Sequence, residues 1–131
     1  MTKLPIVRDY MDSQVYTLAQ DKDIFEAVKF LLDKQVTSAP VVDADNHVIG
    51  ILSEKDCLRL LSTGIDHNRP HGQVSDYMTK QVSWIEPDMN IYFAAGMFLN
   101  VSFRRFPVVE NNQLVGAITR FDILRVIRDQ L

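Results

Sequence analysis

The sequence predicts an α+β protein made of two copies of one folding unit. Three observations carry this. The chain of 131 residues is self-similar at fixed spacing; both copies alternate strand-like and helix-like stretches in the same order; and the composition, 47% hydrophobic and 24% charged, suits a globular core. Val7, Asp9, Tyr10 and Met11 recur 67 residues later as Val74, Asp76, Tyr77 and Met78. Gln14 and Val15 recur as Gln81 and Val82, Ile24 and Ala27 as Ile91 and Ala94, and Pro40, Val41 and Val42 as Pro107, Val108 and Val109. Gly50, Asp56 and Leu58 then recur as Gly116, Asp122 and Leu124 at a spacing of 66. The lost residue falls between Asp43 and Val48, a polar stretch that reads as a turn and tolerates a length change.

Each copy reads as short helix, strand, helix, strand, turn, strand, helix. Val15 to Leu18 is a short β-rich run. Asp23, followed three residues later by Glu26, signals a helix start, with Ile24, Ala27, Val28, Leu31 and Leu32 on one face. Ala39 to Val42 and Val48 to Leu52 are apolar runs around the turn Asp43 to His47, the pattern of a hairpin. Ser53 caps the helix that follows. In the second copy Asn90 caps a helix with Ile91, Ala94, Ala95, Phe98 and Leu99 on one face. Phe106 to Val109 and Leu114 to Ile118 form the hairpin, and Thr119 caps the last helix. Gly64, Pro70 and Gly72 mark a linker, so the expected boundaries are 1–61 for the first repeat, 62–73 for the linker and 74–131 for the second repeat.

Composition narrows the function. No apolar run approaches the roughly 20 residues that span a bilayer, and Met1 to Val7 lacks the apolar stretch of a secretory signal, so a cytoplasmic protein with no membrane partner is expected. A lone cysteine, Cys57, excludes an internal disulfide and a multi-cysteine metal site. The net charge of −3 argues against broad nucleic-acid binding. Residues 1–66 hold seven Lys or Arg against eleven Asp or Glu, whereas residues 67–131 hold seven against six, so positive charge gathers late, including Arg104, Arg105, Arg120, Arg125 and Arg128. Tyr92, Phe93 and Met97 on one long helix, and Phe25 and Phe30 on the other, lie outside the core stripe. Such faces pack either between the repeats or against another subunit, and a homodimer is the expectation.

The repeat resembles the CBS (cystathionine beta-synthase) domain: Val-x-Asp-x-Met at its start, Pro-Val-Val and an acidic residue at Pro40 to Asp43 and Pro107 to Glu110, and Gly-apolar-apolar-Ser/Thr-x-x-Asp at Gly50 to Asp56 and Gly116 to Asp122. The resemblance covers nearly the whole chain. It implies two β-α-β-β-α units packed by pseudo-twofold symmetry, a stand-alone pair whose cleft holds AMP, ADP, ATP or S-adenosylmethionine, and regulation of an unidentified partner protein. It also implies no catalytic residue and no required cofactor, the adenine nucleotide being a regulatory ligand.

A nucleotide offers a ribose diol, phosphates and an adenine face. A carboxylate accepts from a diol, and a hydroxyl three residues earlier on the first helical turn reaches the same ligand, which Ser53 with Asp56 and Thr119 with Asp122 satisfy. In similar proteins the Asp holds the ribose and the hydroxyl contacts ribose or phosphate. The helix N-terminus adds unpaired N–H groups. The competing reading is that these residues only cap helices. The second copy is the better candidate, because Glu54 beside Ser53 repels phosphate while Arg120 stands in the matching place beside Thr119. Arg104 and Arg105 suit phosphate, and strand alternation lets only one face the site. Val82, Phe106 and Pro107 in one copy, and Val15, Ala39 and Pro40 in the other, are candidates to enclose adenine, with core packing as their plain role. Thr37 and Ser38 replace the arginine pair in the first copy. His67 and His71 have ligand spacing but lie beside Pro70 and Gly72, His47 sits in the turn, and Cys57 reads as a small core residue, so no metal site and no nucleophile are expected. The alternative to a ligand sensor is a structural dimerisation adaptor with vestigial clefts.

Overall fold

A computed structural model of the chain describes residues 4–62, 72–101 and 104–131. The predicted linker lies mostly outside the described residues, as do His67 and His71. A 3₁₀ turn at Val7–Asp9 leads to β1 (Leu18–Ala19), α1 (Ile24–Lys34), the hairpin β2 (Ser38–Val42) and β3 (Val48–Ser53), and the short helices α2 (Glu54–Cys57) and α3 (Arg59–Ser62). The order repeats with α4 (Val74–Tyr77), α5 (Ile91–Leu99), the hairpin β4 (Arg105–Glu110) and β5 (Gln113–Thr119), and α6 (Arg120–Gln130).

The compact units are out of step with the sequence repeats. One is Tyr16–Val82; the other combines Met1–Val15 with Ser83–Leu131. The start of each repeat therefore packs on the core that the other repeat builds. Val74 is fully buried among Leu18, Ile24, Leu31, Val41 and Leu52, and Val7 is fully buried among Ile85, Ile91, Phe98, Phe106 and Ile118. Backbone bonds repeat the arrangement. The Val7 and Arg8 N–H groups donate to the Met89 and Pro87 carbonyls at 2.9 Å, and those of Val74 and Ser75 to Lys22 and Gln20 at 2.9 Å. Asp9 and Asp76 close these turns, each carboxylate accepting from the N–H three residues before it.

The segment after each turn runs along the free edge of a hairpin. Asp12 and Ala117 exchange two backbone bonds at 2.9 Å, as do Thr79 and Ile51 at 2.8 and 2.9 Å. This approach explains the repeated glycines. A Cβ on Gly116 would stand 2.7 Å from the Asp12 carbonyl oxygen and 2.9 Å from Met11 Sδ, and one on Gly50 would stand 2.6 Å from Met78 Sδ and 3.0 Å from the Thr79 carbonyl oxygen.

Three expectations need correction. The run Val15 to Leu18 becomes a strand only at Leu18, which pairs in parallel with Val41; in the second unit its counterpart is one bridge, Ile85 to Val108. The Ile85 N–H donates to the Pro107 carbonyl and the Val109 N–H to Ile85, so the rung before would need an N–H from Pro107, or from Pro40 in the other unit, which proline lacks. The helix stripes are narrower than read. Ile24, Ala27 and Leu31, and Ile91, Ala94 and Phe98, are buried, but Leu32 is 71% exposed and Leu99 87%. Each lies one residue, about 100° round the helix, past a buried neighbour. Finally, the helix capped by Ser53 breaks at Leu58, while α6 runs unbroken.

Candidate functional site

The hairpin registers decide which side chains share a face. Arg105 lies opposite Thr119, Phe106 opposite Ile118 and Pro107 opposite Ala117. Alternation puts Phe106, Val108 and Ile118 on the core face, and Arg105, Pro107, Ala117 and Thr119 on the other. The same holds for Ser38, Pro40, Ile51 and Ser53 against Ala39, Val41 and Leu52. Phe106 and Ala39 are therefore core residues: Phe106 is 1% exposed, its ring edge-on to Phe98 with centroids 4.8 Å apart, and Ala39 is fully buried. Of the two arginines, Arg105 shares the face of Thr119, while Arg104 stands exposed ahead of the strand. Among the described residues neither side chain has a hydrogen-bond or ion-pair partner. Val82 belongs to the Tyr16–Val82 unit and Val15 to the other.

Each Ser/Thr-x-x-Asp run forms a reciprocal cap. Asp122 Oδ2 accepts from the Thr119 N–H at 2.8 Å and from its hydroxyl at 3.0 Å, while the Asp122 N–H donates to Thr119 Oγ1 at 3.2 Å. Ser53 and Asp56 repeat it at 2.9, 3.0 and 3.2 Å. The helix N-termini offer less than expected, since the first amides of α2 and α6, on Glu54 and Arg120, already donate to the Thr37 and Arg104 carbonyls at 2.8 and 3.2 Å. The Arg120 side chain turns to the Val101 carbonyl at 3.2 Å.

The other carboxylate oxygen distinguishes the two copies. Asp56 Oδ1 accepts from the Thr79 hydroxyl at 3.1 Å, whereas Asp122 Oδ1 is held by Arg125 Nη2 at 2.7 Å. Asp12 occupies the place of Thr79 and brings no hydroxyl. The same Arg125 nitrogen donates to the Tyr10 carbonyl at 2.8 Å, and Arg59, its repeat equivalent, reaches the Asp56 and Tyr77 carbonyls. Sequence reading missed Arg125 and Thr79 as site neighbours. The signal available was that Arg59 and Arg125 recur at the spacing of Asp56 and Asp122, and Tyr10 and Tyr77 at that of the repeat.

Away from these sites, Cys57 is half-buried against the core, and burial pushes its thiol up from the ordinary range, with Asp56 adding to the effect. Asp43 organises the first hairpin turn, accepting from the Asp45 and His47 N–H groups at 2.9 Å. These backbone bonds, led by that from His47, hold its carboxyl below the ordinary range. The His47 side chain is 43% exposed, with Nδ1 3.3 Å from Asp43 Oδ2, and Asp43, Asp45 and His47 bring potential ligand atoms within 4.8 Å of one another. Among the described residues no helix is long and apolar enough to cross a membrane.

The fold and its paired caps define a duplicated α+β scaffold. The model of the CBS domain matches residues 7–63 and 74–129, and the chain belongs to that family. It is similar to the uncharacterized protein MJ1225 of Methanocaldococcus jannaschii, 36% identical over 92% of this chain, and spans 42% of that relative's length. It is 31% identical to an uncharacterized 17.7 kDa protein of Acidianus ambivalens over 89% of this chain and 70% of that one. Among solved structures, the CBS-pair protein CBSX2 from Arabidopsis thaliana superposes with a TM-score of 0.86 at 26% identity, covering 98% of this chain and 97% of that one. CBSX2 in complex with AMP superposes at 0.83 with 28% identity over 95% and 97% of the two chains.

Proposed function

We propose that this chain is a regulatory, non-catalytic module that takes an adenosine-containing ligand at Thr119 and Asp122 and reports its occupancy to a partner protein. The observation that carries the reading is the shared face of Arg105 and Thr119: a guanidinium without a side-chain partner among the described residues lies opposite the hydroxyl paired with a carboxylate. That set matches phosphate and a ribose diol together. The AMP complex of CBSX2, a relative by fold and sequence, supports it. Ser53 and Asp56 form the second, weaker site, because Ser38 stands opposite Ser53 where the other unit has Arg105. The lone thiol suits a reducing compartment, which supports a cytoplasmic setting for the module. Calorimetric titration with AMP, ADP, ATP and S-adenosylmethionine tests the proposal. One or more should bind, and Asp122→Ala should weaken binding by more than Asp56→Ala; equal losses overturn the ranking, and no binding overturns the function.

A second reading, a dimerising adaptor, is favoured by the exposed apolar faces. Phe25, Leu32, Leu58 and Leu61 are 41, 71, 61 and 69% exposed, and their repeat equivalents Tyr92, Leu99, Leu124 and Ile127 are 50, 87, 59 and 50% exposed. Duplication has thus kept the same face uncovered in both units, and a second copy of this chain would cover it with matching chemistry. The adaptor reading requires a stable dimer whose melting temperature no adenosine ligand raises, whereas the sensor reading requires a rise that grows with ligand concentration.

A further inference from the structure

We infer that Arg125 is a latch that competes with the ligand for Asp122 and, when displaced, loosens the Val7–Met11 segment; this rests on the proposed ligand site at Thr119 and Asp122. The competition follows from counting acceptor positions. A carboxylate offers about two lone pairs on each oxygen. Asp122 Oδ2 spends both on the Thr119 N–H and hydroxyl, and Oδ1 spends one on Arg125. A ribose diol needs two acceptor positions and finds one. Both fit on Oδ1 only when Arg125 leaves it. The Asp122 side chain is 13% exposed and that of Arg125 43%, so the pair sits at the protein surface where a ligand can reach the guanidinium and exchange with it.

Release has a consequence 115 residues away in sequence. Arg125 Nη2 ties α6 to the Tyr10 carbonyl, and the Tyr10 hydroxyl donates to Asp129 Oδ2 at 3.1 Å. With the carboxylate taken by ligand, the guanidinium loses the anchor that aims it at Tyr10. This side-chain tie between α6 and that segment weakens. The amides of Tyr10 and Met11, both bonded to the Val7 carbonyl, report the loosening. In the other unit the matching carboxylate oxygen meets the neutral Thr79 hydroxyl, which rotates away at less cost than a charge-assisted bond.

The test is calorimetry on the full chain with AMP and with 2′-deoxy-AMP, together with amide hydrogen exchange. Arg125→Ala should bind AMP roughly three- to tenfold more tightly than the unaltered chain, the range expected for removing a partly exposed charged competitor. Arg125→Lys should fall between them. The gain should vanish for 2′-deoxy-AMP, which has no diol. Saturating AMP should speed exchange at Tyr10 and Met11 in the unaltered chain and change it little in Arg125→Ala, where it is already fast. Weaker AMP binding by Arg125→Ala, unchanged binding, or equal gains for both nucleotides each overturns the latch while leaving the site standing. Absence of AMP binding by the unaltered chain and Arg125→Ala alike removes the site reading and the latch with it.

Discussion

At the scale of single residues, contacts across the chain explain why the two copies kept the same side chains. Gly50 and Gly116 recur because the segment after each turn passes over them at the hairpin edge, and the neighbouring atoms predict how each responds to a methyl group. On Gly116 the nearest atom is a backbone carbonyl at 2.7 Å; on Gly50 it is the flexible Met78 thioether, with the backbone 3.0 Å away. Gly116→Ala should therefore cost more than Gly50→Ala, about 1–3 kcal/mol against the lower end of that range, read from urea unfolding midpoints. Asp43 carries a different prediction. Its folded carboxyl titrates below the ordinary value of ~3.9 because it accepts the His47 and Asp45 amides. A depressed folded value adds stability that is fully present above the unfolded value and is lost as pH falls through the folded one. Asp43→Asn keeps an acceptor but cannot titrate. The stability of the unaltered chain should thus decline relative to Asp43→Asn between about pH 5 and pH 2, and a flat difference over that range contradicts the assignment.

At the scale of elements, what could be read from sequence depended on how local its cause is. Caps were legible: Asp23, Asn90, Ser53 and Thr119 each accept the amide two or three residues on, as their types predict. The hairpins were legible to within a residue. The shortened strand β1 was not, because its limit is a missing proline N–H on a neighbouring strand, and the exposure of Leu32 and Leu99 was not, because periodicity marks an apolar face without saying how much of it is covered. Arg105 could be separated from Arg104 only with the register known, and Arg125 meets Tyr10 only because the units cross the repeats. The second hairpin offers an element-scale test. Asn111 and Asn112 both take left-handed backbone, with φ of 52° and 64°, between the paired Glu110 and Gln113, as a two-residue turn requires. Asn112→Val should lower stability by about 1–2 kcal/mol, the cost of a left-handed conformation for a branched residue, whereas Asn112→Gly should be neutral or stabilising in the same denaturation assay.

At the scale of the whole molecule, the crossing of units and repeats separates what was duplicated from what folds. A chain cut after Asp66 keeps each sequence repeat intact yet splits both compact units. The first fragment holds Val7 without Ile85, Ile91 or Phe106, and its own core lacks Val74. Its hairpin edge at Ile51 also loses the two bonds to Thr79. A fragment of residues 16–82 does the opposite: it breaks both repeats and keeps one unit whole, with α1, both hairpin strands, the Val74 turn and the Thr79 edge. Removing a fully buried valine side chain typically costs more than a kilocalorie per mole, and a unit of this size has only a few to spare. Residues 16–82 should accordingly fold alone, with a cooperative thermal transition and dispersed amide resonances. Residues 1–66 and 67–131 should each be disordered alone and gain structure on mixing, when both cores become complete. Cooperative folding of 1–66 by itself would mean that the sequence repeat is also the folding unit, and that Val74 and Thr79 are dispensable to the core they complete.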